Sequence, residues 1–386
     1  MRYFFLILSL MLAIGTGCEE TPPTPPPPPV VVKDLPYYLN TFVDSVRSSS
    51  NIPGLAVGVI KDGEIVWNAG FGVANKNSGT SVDKYTRFML NQAADPFVAV
   101  AVMQMLASEN ISLDTDINTL LPFSVKHPTF PNAVITPRML LTHTAGIVDD
   151  SAKLASLYRE GDAPGRLRDF LKSYLVKNNA NYQSSNFTAS RPGKTFEYSR
   201  IGISLAAYLV EAVTGVEFDL FCKTRYFNQL GYSSVSWFLN DLQRDKIATP
   251  YTYAGLQQVA APLYGYPMYP SGQLRISVEY LARFGLAVME NGVYGDQQLL
   301  SAQDIQQLTK VQFPDIDAEQ ALGWRKKEAF FRLLTYSAGD DTGYTSRIYL
   351  DMPDHTGVVL LCNAENAGAA LDVIANRIFF VSEFAE

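Results

Sequence analysis

Cysteine and histidine are scarce in this chain: its 386 residues hold three of each. Three cysteines leave no disulfide framework, and His127, His143 and His355 are too scattered for a metal-ligand cluster. The sequence therefore calls for no metal and no cofactor. No long run of Lys or Arg occurs, the formal net charge is −7 and the pI is near 5.2. Phosphate recognition needs clustered cations, so nucleic acid is excluded as a partner. No apolar run is long enough to cross a bilayer. What the chain does hold is core-forming material: 47% of it is hydrophobic and 12% aromatic, enough for one large domain or two. It shows no internal repeat.

The first residues read as a secretion signal rather than as fold. Arg2 precedes an apolar stretch from Tyr3 to Ile14, and Gly15-Thr16-Gly17-Cys18 follows. This small-small-Cys ending resembles a bacterial lipobox, although Gly15 stands where Leu is usual. It predicts a signal peptide over 1–17 and lipidation of Cys18, which would anchor the protein in a bacterial envelope membrane, periplasmic or outer-surface. Residues 18–33 are Pro-rich, with an unbroken block from Pro25 to Pro29. Such a segment favours extended polyproline II and packs no core, as suits a tether.

The remainder, 34–386, reads as strands at both ends with helices between. Leu55–Ile60, the turn pair Asp62-Gly63 and Glu64–Trp67 predict a β-hairpin. Helices are expected from about Pro96, over Ile201–Val213 with a stop at Thr214-Gly215, over Val278–Glu290, and over Ala367–Phe379. Strands are expected at Phe330–Tyr336, Ser346–Leu350 and Gly357–Leu361. The pattern implies an α+β fold: a sheet assembled from both chain ends, with a helical region at roughly 100–270 inserted between them. Cys222, in a helix, and Cys362, in a strand, are expected as buried free thiols.

The segment Ile135–Ile147, ITPRMLLTHTAGI, resembles the "ITxRxLLTHTSGL" signature of the β-lactamase-related serine hydrolases, which include class C β-lactamases, D-alanyl-D-alanine carboxypeptidases and related esterases. Further blocks follow in the family's order. They are Arg191–Ser199, Glu211–Gly215, Tyr226–Tyr232, Pro270–Phe284 and Ala321–Trp324. The resemblance spans about 34–380. It implies an antiparallel sheet flanked by helices, a helical region, and an active site between the two. It also implies a serine nucleophile, a lysine three residues on that takes its proton, a tyrosine from a second motif, a strand carrying Lys- or His-x-Gly, and backbone N–H groups that receive the oxyanion.

This chain departs from that pattern at every catalytic motif. Phe88 and Phe97, aligned with the family's phenylalanines, place Gln92 at the nucleophile position and Asp95 at the lysine position. The second motif reads Tyr198-Ser199-Arg200, with Arg for the usual Asn; the third reads Ser337-Ala338-Gly339, keeping only Gly. The cleft is therefore expected to be formed by Gln92, Asp95, Tyr198, Arg200, Ser337 and Asp340, without the chemistry of hydrolysis. The exchange of charge suggests an ion pair between Asp95 and Arg200. The literal Ser81-Val82-Asp83-Lys84 falls in the loop after the hairpin, a spacing that arises readily by chance, and Ser199 and Ser337 have no evident base. The leading expectation is a catalytically inactive envelope protein whose cleft binds a ligand, such as a peptidoglycan peptide or a small ester or amide, or serves as scaffold. The alternative is an active esterase, D-alanyl peptidase or β-lactamase using another nucleophile.

Overall fold

The computed structural model describes residues 35–255 and 257–381. Cys18, the signal segment and the Pro-rich tether lie outside the described residues. Strand β1 (Gly54–Lys61) turns at Asp62 and Gly63, with φ of 48° and 83°, into β2 (Glu64–Asn75). The left-handed φ at both turn positions matches the strand twist, which is why Asp-Gly closes a two-residue hairpin. A short β3 (Thr80–Ser81) completes the N-terminal part of the sheet.

The C-terminal part supplies β4 (Arg325–Ala329), β5 (Arg332–Asp341), β6 (Tyr344–Asp351) and β7 (Thr356–Cys362). One antiparallel seven-stranded sheet results, in the order β4-β5-β6-β7-β1-β2-β3. The two chain ends meet where β1 pairs with β7, from Leu55 opposite Cys362 to Lys61 opposite Thr356. Both faces of these central strands are covered, so their sequences are nearly continuously apolar.

Alternation along β1 assigns each face. Leu55, Val57 and Val59 pack with helix α1 (Leu35–Ser49) and with α5 (Gly368–Phe379), among Leu39, Val43, Leu371 and Ile374. Ala56 and Ile60 face the main core, which holds α2 (Asp95–Ser108), α3 (Arg200–Thr214) and α4 (Val278–Met289). In that core the rings of Phe97 on α2 and Phe284 on α4 stack with centroids 3.9 Å apart. Cys222 and Cys362 are both free and buried.

Several elements differ from the sequence expectations. Helix α1 was not anticipated, although Leu39, Val43 and Val46 carry a helical apolar spacing and lie on the sheet. Strand β4, sequence RKKEA, carries no apolar signal because it is the sheet edge, where charged side chains also block pairing with another chain. Strand β3 pairs where a loop was expected, and β5 begins at Arg332 because Phe330 and Phe331 form the turn, with φ of 54° and 60°. The predicted helices match their cores, and β6 is longer than its apolar run suggested.

Candidate functional site

A 3-10 turn, Asn91–Ala94, leads directly into α2, and it is pinned against the sheet. Asn91 has a φ of 53°, a left-handed conformation that asparagine tolerates, and its side-chain amide donates to Tyr344 O at 3.0 Å. Ser346 Oγ donates to Leu90 O at 2.6 Å. Gly339 on β5 packs so tightly here that a Cβ would stand 2.0 Å from Leu90 O. The glycine of the third motif is thus required by the approach of the turn to the strand.

This packing opens a cleft of about 380 Å³ between β5 and the α2–α3 region. Gln92, Asp95 and Tyr198 line one side, and Ser337, Gly339 and Asp340 the other. Five of the six cleft residues proposed from sequence therefore border one cavity; Arg200, the sixth, does not line it. Arg325 from β4 and Arg347 from β6 also reach it, which no motif signalled: the strand of Arg347 was expected, but which strands meet at the cleft follows from the sheet order.

Gln92 points across the cleft. Its side-chain oxygen accepts the backbone N–H of Asp340 at 3.0 Å. Strand β4 pairs with β5 only as far as Arg325 opposite Tyr336, so beyond that point the β5 edge faces the cleft. The Gln92 carboxamide occupies one of the backbone donors on that edge.

Asp95 is 4% exposed. Tyr198 Oη donates to its Oδ2 at 2.9 Å, and Ser271 Oγ lies 3.4 Å from Oδ1. Burial raises its pKa to about 7, against the lowering effects of the Tyr198 hydrogen bond and the Arg200 charge. His143 Nε2 is 3.9 Å from Asp95 Oδ2, but burial and the nearby Arg325 push the imidazole down to about 3, so it is neutral. The Ser199 N–H donates to His143 Nδ1 at 3.3 Å, which places the ring proton on Nε2, toward Asp95.

The expected Asp95–Arg200 ion pair does not form. Arg200 Nη1 instead lies 3.3 Å from Asp341 Oδ2. It also donates to Tyr158 Oη, and that hydroxyl donates to the same Asp341 oxygen at 2.5 Å. The guanidinium sits over Tyr266 and Tyr158, 4.5 Å and 5.6 Å from the ring centroids. Burial works against the cation, yet Tyr266, Tyr158 and Asp341 hold its pKa well above the ordinary arginine value. The physical reason for the correction is direction: Arg200 opens helix α3, and its side chain turns toward the far end of β5, where alternate residues Asp340 and Asp341 point to opposite sides.

No serine of this region is set up as a nucleophile. Ser199 Oγ donates to Asp149 Oδ1 at 2.7 Å and accepts from Gly202 N at 3.0 Å, so it caps α3. Ser271 is fully buried. No base among the described residues holds a hydrogen bond to Ser337 Oγ. Ser81 is exposed on β3, and Lys84 is committed to Glu279 at 3.4 Å. No group of three or more His, Cys, Asp or Glu among the described residues is arranged to hold a metal ion.

Against known proteins, the Beta-lactamase family matches residues 39–381. Protein flp of Staphylococcus aureus is 20% identical over 334 residues, covering 86% of this chain and 64% of its own length. The chain therefore spans somewhat less than two thirds of that relative. Two solved structures share the fold. The penicillin-binding protein from Bacillus halodurans has a TM-score of 0.69 and 22% identity, covering 86% of this chain and 97% of its own. The D-amino acid amidase from Ochrobactrum anthropi, complexed with L-phenylalanine amide, has a TM-score of 0.69 and 16% identity, covering 89% of this chain and 99% of its own.

Proposed function

Because the chain belongs to the Beta-lactamase family of serine hydrolases, while Gln92 and Asp95 stand at the family's nucleophile and lysine positions, we propose that it is a non-hydrolysing member whose cleft binds a ligand. A carboxamide has no nucleophilic oxygen of the needed kind, and a buried carboxyl replaces the lysine amine. Loss of a nucleophile and base that act together removes on the order of 10⁶ in rate, about 8 kcal/mol of transition-state stabilisation.

The observation that carries this reading is the Gln92 hydrogen bond to Asp340 N–H. The side chain at the nucleophile position lies across the cleft and fills a backbone donor that a reacting carbonyl would need. The rest of the cleft is kept open and ordered, which favours a binding role over a collapsed relic. Peptidoglycan peptides and small amides or esters are the ligand classes in keeping with relatives named as penicillin-binding proteins. The lipobox-like end at Cys18 and the Pro-rich segment after it support anchoring at a bacterial envelope membrane.

Incubation of the purified protein with a fluorescent penicillin and with a fluorophosphonate tests the proposal. No covalent adduct is expected with either. Stoichiometric labelling of any serine overturns the reading and makes the protein a hydrolase with a displaced nucleophile.

A further inference from the structure

The cleft sets two acids, Asp95 and Asp340, beside two arginines, Arg325 and Arg347. Asp95 lines the cavity and receives only neutral donors, the Tyr198 hydroxyl at 2.9 Å and the Ser271 hydroxyl at 3.4 Å. Two carboxylate oxygens accept about four hydrogen bonds, so the group keeps unused acceptor capacity. The nearest ring nitrogen, His143 Nε2, is 3.9 Å away on a neutral imidazole, and the Arg200 guanidinium is paired with Asp341. Asp95 thus has no cationic partner among the described residues.

Several donors that would receive an anion are meanwhile engaged, Arg325 through its Nη2 alone. Gln92 Oε1 fills the Asp340 N–H at 3.0 Å. Arg325 is held by Glu319 at 2.8 Å and Asp317 at 3.5 Å, and Arg347 by Asp372 at 3.3 Å. Asp340 borders the cavity as a further acid.

We propose that the cleft receives a ligand bearing a protonated amine, whose ammonium group is set against the Asp95 carboxylate and the Tyr198 hydroxyl oxygen. This deepens the reading of the cleft as a non-hydrolysing binding site and rests on it. The ammonium supplies the counter-charge that Asp95 lacks, and a charge-assisted hydrogen bond to a buried carboxylate is worth roughly twice a neutral one. Tyr336 also lines the cavity, its ring stacked on Tyr349 and approached by Lys327 Nζ at 4.6 Å. Burial holds the empty-site Asp95 near pKa 7, with Tyr198, Arg200, Ser271, Asp149 and His143 as the groups facing it. Near neutrality, binding therefore ionises Asp95: its proton goes to the buffer while the ligand remains an ammonium.

Calorimetric titration of the full chain with benzylamine, against benzoate and benzyl alcohol, tests this. Benzylamine is expected to bind best of the three. Titration at pH 7 in two buffers of different ionisation heat should show about half a proton released per site. Asp95→Asn should weaken benzylamine at least about tenfold and abolish the proton release. Tyr198→Phe, which keeps the ring, should weaken it less and leave the release in place. Silence of benzylamine with the wild-type chain, or equal binding by a folded Asp95→Asn protein, overturns the proposal. If benzoate binds in its place, the amine assignment falls but the cleft remains a binding site. If fluorescent penicillin labels the protein, the non-hydrolysing reading falls first.

Discussion

Arg200 Nη1 meets Asp341 Oδ2 at 3.3 Å, joining the first residue of helix α3 to the last residue of strand β5. The family's lysine and asparagine positions here hold an acid and a base, yet the two do not neutralise one another. Asp95 is accommodated by burial that raises its pKa to about 7, and Arg200 by a carboxylate and two tyrosine rings contributed by other parts of the chain. Two separate solutions stand where one matched exchange was expected.

The Arg200–Asp341 contact ties the helical side of the molecule to the sheet. Arg200→Met should cost about 3–5 kcal/mol, because Asp341 and the Tyr158 hydroxyl lose their buried cation. The double variant Arg200→Met with Asp341→Asn should recover much of that loss. Urea unfolding of the two single variants and the double variant, read as a double-mutant cycle, checks the coupling.

Asp95 makes stability depend on pH in a definite direction. Its folded pKa of about 7 lies above the unfolded value of 3.8, so the folded state holds the proton to higher pH. The stability from this group is complete at acid pH and is lost as pH rises from about 4 to about 7, by about 4 kcal/mol. Asp95→Asn keeps an acceptor for Tyr198 and carries no charge. It should melt close to wild type near pH 4 and progressively higher than wild type up to pH 7, with a constant gap above. A gap that does not change with pH would show that Asp95 does not titrate in this range.

If the cleft is non-hydrolysing as proposed, giving it a serine nucleophile needs both positions. Gln92→Ser alone should remain unreactive toward a fluorophosphonate, because the adjacent Asp95 carboxyl is about half protonated at pH 7 and already receives the Tyr198 hydroxyl. Gln92→Ser with Asp95→Lys should gain labelling at a rate on the order of 10²–10⁴ above the single variant, the range a positioned base contributes. Gel fluorescence over a time course measures it.

Gly339→Ala tests how closely the turn before α2 presses on β5. The added Cβ would lie 2.0 Å from Leu90 O and 2.9 Å from Asn91 Cβ, and Leu90 O is backbone already held by Ser346 Oγ. The expected loss is about 3 kcal/mol, seen as a lower urea midpoint with the slope unchanged.

Cys18→Ala should shift the protein from the membrane fraction to the soluble fraction of envelope preparations, if lipid at Cys18 is the anchor. Unchanged fractionation would assign membrane association to another part of the chain.

Local chemistry made much of this molecule readable from its residues. Asp62-Gly63 dictates a tight hairpin, Thr214-Gly215 a helix end, with Gly215 at a φ of 71°, and the apolar runs of β1 and β7 a sheet buried on both faces. The positions of Gln92 and Asp95 followed from register between two phenylalanines, and both line the cleft. Strand β4 and helix α1 were harder: the first is a charged edge, and the second packs onto a sheet that exists only after the chain ends meet.

Residue identity and short-range spacing were enough for the fold class and for placing Gln92 and Asp95 at the motif positions that line the cleft. The partners of those side chains came only with the folded walls. Arg200 finds Asp341 across 141 residues, Gln92 finds Asp340 across 248, and Arg325 and Arg347 arrive from separate strands. The preference of a long side chain among several acids depends on direction, desolvation and the aromatic surfaces it crosses. Those are properties of assembled walls, and no spacing along the chain encodes them.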